Sequence, residues 1–164
     1  MARFLLDGML GRLARWLRIL GYDARYAAHW DDNELARVAR AEDRVLLTRD
    51  VALSRRRGLH TLLIEHEQIE PQLLQVMRAF GLPPDAVFSR CPVCNTPLER
   101  VPKDSVWGMV PPYIFRKHDL FCLCPACNQF YWQGTHWQRM RQKLAELLAG
   151  EAGDRATTVS YKDD

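Results

Sequence analysis

At 164 residues, with 48% apolar and 26% charged side chains, the chain suits one ordinary domain or a small domain plus a metal-stapled module, and is too short for a large multidomain protein. No apolar stretch approaches bilayer length, and the opening "MARFLLDGMLGRLARWLR" breaks its apolar positions with an acid and several arginines. Neither a membrane span nor a secretory leader is therefore expected, and the reading is of a cytoplasmic protein.

In chain order, "RFLL" reads as a strand, and "MLGRLARWLRILG" as a helix with Leu10, Leu13, Leu17 and Leu20 at helical spacing and Gly21 as its stop. "DARYAA" is a second strand, and "DDNELARVARAED" a helix whose Asp31 and Glu34 fit a capping box. "RVLLTR" is the third strand, "VALSRRRG" a short helix, "LHTLLIE" the fourth strand and "EPQLLQVMRAFG" the fourth helix. This strict alternation predicts an α/β layer with a parallel sheet flanked by helices. "GLPPDAVF" then marks a boundary near residues 82–90, so residues 1–85 are expected as the first domain. A cysteine-, proline- and aromatic-rich second region, 90–149, closes with a basic amphipathic helix over roughly His136 to Leu148. Residues 150–164 read as a solvated, disordered acidic tail.

Charge is distributed unevenly along this plan. The net +3 is mild, but residues 1–149 carry 21 Lys or Arg against 16 Asp or Glu. Arg12, Arg15 and Arg18 on the first helix, Arg49, and the "SRRRG" run are each more simply a solvated face; taken together they form a candidate phosphate-contacting rim.

The acids have a more specific placement. Parallel strands present their C-terminal ends on one edge, where ligands bind in open α/β folds. Asp7 follows the first strand, Asp31 and Asp32 the second, and Asp50 the third. Any one of them alone reads as a helix N-cap, Asp31 above all. Several carboxylates converging on one edge would repel unless a hard cation such as Mg²⁺ or Mn²⁺ neutralised them, and such a site suits phosphodiester hydrolysis.

All five cysteines lie between Cys91 and Cys127. "CPVC" at Cys91 and Cys94 and "CPAC" at Cys124 and Cys127 are two Cys-x-x-Cys knuckles 29 residues apart, the pattern of a four-thiolate structural Zn²⁺ site rather than of a secreted disulfide framework or a redox dithiol. Cys122 falls outside the knuckle spacing and is expected to pack as a small apolar residue. Trp107, Tyr113, Tyr131, Trp132 and Trp137 are interleaved with Lys103, Arg116, Lys117, Arg139 and Arg141. That pattern suits RNA stacking and phosphate contact, with at least half of the rings expected to serve as core; His136 is a further candidate contact.

With both regions in view, the chain resembles the Mut-seven C-terminal RNase family, a PIN-like nuclease domain joined to a zinc ribbon. The resemblance is carried by "FLLDGMLGRLARWLRILGYDARY", "DDNELARVARAEDRVLLTRD", the two Cys-Pro-x-Cys knuckles, "KDSVWGMVP" and "YWQGTHWQRM". It implies a metal-dependent ribonuclease in which Asp7, Asp32 and Asp50 hold Mg²⁺ or Mn²⁺, with Glu34 as a possible fourth acid. The residues themselves add Arg49 beside the reacting phosphate. Candidate RNA contacts are Arg12, Arg15, Lys103, Trp132, His136 and Arg139. The Asp31–Asp32 pair leaves two choices for the acid that faces the metal, and oligomeric state is not encoded in any of these features. The rival reading is a non-catalytic zinc-ribbon RNA-binding or adaptor protein in which the acids are caps.

Overall fold

The computed structural model describes residues 1–81 and 89–159, so the boundary expected near 82–90 falls largely on residues outside that description. The first compact unit spans Met1–Trp132, and the second begins at Gln133.

The N-terminal half is the expected alternation. Strands β1 (Arg3–Leu6), β2 (Asp23–Tyr26), β3 (Val45–Thr48) and β4 (Thr61–Leu63) are all parallel, in the order β2-β1-β3-β4. Between and after them lie α1 (Gly11–Ile19), α2 (Asp32–Ala41), the short α3 (Val51–Ser54) and α4 (Ile69–Phe80). Phe4, Leu5 and Leu6 are all fully buried, as a strand covered on both faces requires. Alternation assigns them to two sides. Leu5 and Leu46 pack with Leu35, Val38 and Ala39 of α2 and Leu53 of α3, while Phe4 meets Tyr22 and Phe80 edge-on at ring separations of 5.2 and 5.1 Å.

The strand order fixes where a ligand site can form. The chain leaves β1 through α1 to β2 on one side, then crosses back through α2 to β3 on the other side of β1. Right-handed crossovers place α1 and α2 on opposite faces, so the connections diverge at the C-terminal ends of β1 and β3, the switch point at which ligands bind in open α/β sheets. Immediately beyond β1 the chain bends into a 3-10 turn, Gly8–Leu10, separating this turn from the helix with which the sequence merges it. Gly8 is required by close approach: a Cβ there would stand 2.6 Å from the carbonyl oxygen of Ala28.

The cysteine-rich region forms an antiparallel sheet, β5 (Glu99–Val101), β6 (Phe121–Cys124) and β7 (Gln129–Tyr131), in that order. A 3-10 turn (Lys103–Val106) and the short helix α5 (Pro112–Lys117) lie between β5 and β6. Val106, Val110, Ile114 and Phe121 make its small core, with Trp132 packed against it. In the second unit the final helix, α6, runs Thr135–Val159, beyond the span expected from the amphipathic pattern. The acidic stretch expected as a tail thus begins inside a helix, and residues 160–164 lie outside the described residues.

Four polar side chains fasten the cysteine region to the N-terminal edge of the parallel sheet. Arg18, buried on α1, donates through Nε to the Ala24 carbonyl at 2.7 Å and through Nη1 to the carbonyls of Pro92 and Val93 at 3.0 and 3.1 Å. It is therefore not part of the exposed arginine rim that its spacing with Arg12 and Arg15 suggests. Asn95 donates to Asp23 at 2.7 Å and accepts from the backbone amide of Ala24 at 3.1 Å. Asp23 also accepts from Arg44 at 2.7 Å and lies 3.8 Å from Arg90. Burial by itself would raise the Asp23 pKa, but the hydrogen bonds from Arg44 and Asn95 and the charges of Arg44 and Arg90 outweigh it and hold the carboxyl below its usual range.

A carboxyl with a lowered folded pKa adds stability that is fully present above its unfolded value, about pH 4, and is lost as pH falls through the folded value. Asp23→Ala is accordingly expected to lower unfolding free energy by about 2–4 kcal/mol at pH 7, with the gap to wild type narrowing below about pH 4. Urea denaturation across pH checks both; equal midpoints at pH 7 would show that this fastening carries no load.

Candidate active site and metal centre

Asp7 leaves β1 in extended conformation, and its Oδ1 accepts from the Met9 amide at 3.1 Å, capping the turn that follows. Only 8% of Asp7 is exposed. Its Oδ2 accepts a 2.5 Å hydrogen bond from the hydroxyl of Thr48, the last residue of β3 and itself fully buried. The same Thr48 oxygen accepts from the backbone amide of Asp50 at 3.0 Å, and Asp50 Oδ1 accepts from the Leu53 amide at 3.0 Å. One hydroxyl thus links the Asp7 carboxylate to the backbone amide of Asp50, forty-three positions away, at the C-terminal ends of β1 and β3. Thr48 is the residue that sequence reasoning missed; its signal was a hydroxyl on a β-branched side chain closing an otherwise apolar strand.

The other acids are placed differently. Asp31 is the cap of α2, its Oδ1 accepting from the Glu34 amide at 2.8 Å, as the capping box predicts. Asp32 occupies the first helical position and is exposed; its backbone carbonyl accepts from Arg56 at 3.1 Å, which brings the "SRRRG" run against the start of α2. Both carboxylate oxygens of Glu34 are taken by Arg37 at 2.7 and 3.1 Å, and that hydrogen-bonded guanidinium lowers the Glu34 pKa. Arg49 Nη2 stands 3.9 Å from Glu67, while its Nε is buried without a hydrogen-bond partner among the described residues. Arg12 and Arg15 are exposed on α1.

The four knuckle cysteines meet. Their sulfurs all lie within 4.8 Å of one another, the one such gathering of three or more metal-ligating side chains among the described residues; the aspartates are not drawn together to that distance. Cys94 and Cys124 sulfurs are 3.5 Å apart, and those of Cys91 and Cys127 3.9 Å. Zn–S bonds of about 2.3 Å at tetrahedral angles require sulfur separations of about 3.8 Å, so the donor set fits Zn²⁺. Each knuckle closes with an asparagine in the left-handed region, Asn95 at φ 68° and Asn128 at φ 57°, whose amides donate to Cys91 and Cys124 carbonyls at 2.9 and 2.8 Å. Cys122 stays outside the cluster, half-buried on β6, with its thiol pKa raised by burial.

Crowding of four thiols sets their titration. Cys94, 3.2 Å from the Thr96 hydroxyl, is lowered to about 6, chiefly by that hydrogen bond. Cys127 is pushed up to about 12, first by its hydrogen bond to Cys94. Burial raises Tyr131, whose hydroxyl lies 3.2 Å from the Cys91 sulfur. Thiolates are the ligating form, so capture of a metal by these cysteines would release protons.

The candidate RNA contacts divide by environment. Lys103 pairs with Asp119 at 3.0 Å and lies over the Phe115 ring at 4.9 Å; Trp132 is part of the small core, tilted against Phe121 at 6.4 Å. In the second unit, His136 and Arg139 are exposed on α6, whose Trp137, Met140 and Leu144 form a buried stripe.

A parallel α/β sheet with aspartates at neighbouring strand ends, joined to a four-cysteine cluster that could hold a metal, defines the class. Residues 2–144 match the model of the Mut7-C RNAse domain, and the chain belongs to that family. No curated protein and no solved structure matched it. Among the described residues, no helix is long and apolar enough to cross a membrane.

Protein prepared without chelator is expected to carry one zinc per chain, and Cys124→Ser to lose it. Affinity should fall as pH is lowered, because protons compete for the thiolates. Elemental analysis and a chromogenic zinc-release titration check this; stoichiometric zinc retained by Cys124→Ser would contradict the four-thiolate centre.

Proposed function

We propose that the chain is a divalent-metal-dependent ribonuclease, a PIN-like nuclease layer joined to a zinc ribbon, acting on RNA phosphodiester bonds. The observation that supports this reading is the Asp7–Thr48–Asp50 linkage, in which one buried hydroxyl binds the Asp7 carboxylate and the Asp50 backbone amide at the strand ends where the connections diverge. The match to an RNAse family model supports the same substrate and reaction class.

The donor set of carboxylate oxygens suits Mg²⁺ or Mn²⁺ rather than zinc. When bound, such an ion supplies an activated water at neutral pH and charge stabilisation on the phosphate. Asp7 and Asp50 hold it, with Asp32 approaching from the start of α2. Thr48 fixes the Asp7 carboxylate by its hydroxyl, and Arg49 steadies charge on the phosphate from beside Asp50. Glu34, already held by Arg37, is left out of the ligand set. The zinc centre contributes stability: its first knuckle is fastened at the opposite edge of the sheet, the length of a four-residue strand away, about 13 Å.

A second reading has an observation of its own. Asp7, Asp31 and Asp50 each accept a backbone amide as caps, an arrangement that also fits a non-catalytic RNA-binding or adaptor module. The two readings diverge under one pair of measurements. As a ribonuclease, the wild type cleaves RNA only with Mg²⁺ or Mn²⁺, Asp7→Asn and Asp50→Asn each lose about 100-fold or more, and Mn²⁺ raises the thermal midpoint of wild type more than that of either variant. As an adaptor, RNA is bound without product, and Mn²⁺ leaves all three midpoints alike. Equal cleavage by wild type and both variants would end the catalytic assignment.

A further inference from the structure

The segment between β5 and β6 buries Val106, Val110 and Ile114 and turns its largest remaining apolar side chains outward. Trp107 is 68% exposed, Met109 62% and Tyr113 63%. Such a concentration of open rings within seven residues is not needed by the small core beneath, which is already closed by Phe115, Phe130 and Trp132.

Trp107 is held in place. Trp107 packs edge-on against Phe115, with centroids 4.8 Å apart and an interplanar angle of 74°. Phe115 is in turn covered by the Lys103 ammonium at 4.9 Å, and Lys103 is fixed by Asp119 at 3.0 Å. Gly108, at φ 77°, makes the turn directly after Trp107, and a Cβ there would meet nothing within 4 Å, so the glycine serves the turn rather than a close contact. The prolines at 111 and 112 start α5 with a preset backbone. On that helix Tyr113, Arg116 and Lys117 stand at i, i+3 and i+4, and all three are exposed, so one face presents a ring flanked by two cations.

We propose that the segment from Trp107 to Lys117 binds single-stranded RNA, Trp107 taking a base on the Phe115 side of α5 and Tyr113, Arg116 and Lys117 meeting the strand on the other face. The rings give unpaired bases a stacking platform, and the two cations contact the phosphates between them. The inference rests on the reading of the chain as acting on RNA and names where the strand is held. Single-stranded rather than duplex RNA follows from the chemistry: an exposed ring stacks on a base only when that base is unpaired, whereas duplex recognition uses phosphates and 2′-hydroxyls across a groove. The choice of RNA over a protein partner follows from the paired cations beside Tyr113, which an apolar protein interface would leave desolvated. Pre-positioning of Trp107 by Phe115 reduces the ordering cost of stacking.

The test uses the full, zinc-loaded chain carrying Asp7→Asn, so that bound RNA is not consumed, with labelled single-stranded oligouridine and oligoadenosine and a matched duplex, read by fluorescence anisotropy. Single strands are expected to bind more tightly than duplex. Trp107→Ala with Tyr113→Ala should weaken binding about 10-fold or more, while Trp107→Phe with Tyr113→Phe retains most of it. Arg116→Gln with Lys117→Gln should make the salt dependence of log affinity shallower by about 1.4. Zinc content and thermal midpoint confirm that each variant is folded. Unchanged affinity in the folded alanine pair, no binding by the parent, or preference for duplex each overturns the proposal. The outcome is separable from the catalytic assignment: ring-dependent binding alongside no cleavage by wild type with Mn²⁺ keeps this surface and removes the ribonuclease, and cleavage by wild type alongside ring-independent binding does the reverse.

Discussion

The hydroxyl of Thr48 is the interaction on which the candidate site depends. Asp7 and Asp50 belong to different strand–helix units, and nothing local holds their side chains in common. Parallel pairing of β1 with β3 sets Leu6 against Leu47, so that the next residues of both strands emerge side by side. Thr48 then donates to one carboxylate and accepts from the backbone of the residue bearing the other. Because Thr48 is fully buried, this arrangement is sheltered from competing water. The Asp7 carboxylate is therefore part of the sheet's framework, whereas Asp32, exposed on α2, has freedom to approach a ligand.

The metal module serves this framework from the other end of the strands. Arg18 carries the connection: a guanidinium buried against the first knuckle, its pKa lowered by burial and raised in turn by the nearby Cys91 and Cys94 sulfurs. A four-thiolate zinc centre is net anionic, so the loaded knuckle offers this buried cation a counter-charge that neutral thiols do not. Asn95 occupies a left-handed turn position and bonds both the Asp23 side chain and the β2 backbone, so the geometry demanded by metal capture is the same geometry that pairs with the sheet. Folding of the small module and order at the sheet's N-terminal edge are thereby coupled.

How much of this was legible in the sequence varies with the physics involved. The alternating strands and helices followed from periodicity, since Phe4, Leu5, Leu6, Leu46 and Leu47 are buried for the reason their pattern announces. The Asp31 cap and the four-cysteine cluster also followed, because both are short-range chemistry at fixed spacing. Arg18 was misread as solvated because helical spacing identifies a face but not what later chain packs on it; residues 92 and 93 are more than seventy positions away. Thr48 was missed for the same reason, its partner Asp7 being forty-one residues distant. Trp132 and Lys103 were read as candidate RNA contacts from composition, which does not reveal that Trp132 packs on the small core and that the Lys103 ammonium stands over Phe115. The outward turn of Trp107 depends on the backbone at Gly108, which composition does not reveal.

The proposed ribonuclease requires Asp7 and Asp50, at the C-terminal ends of β1 and β3, to share one divalent ion. Anomalous scattering from crystals of the zinc-loaded protein soaked in Mn²⁺ tests it most directly. The account predicts a manganese peak within coordination distance of the Asp7 and Asp50 carboxylates, separate from the zinc peak at Cys91, Cys94, Cys124 and Cys127. Manganese found elsewhere, with none at the C-terminal ends of β1 and β3, would contradict it.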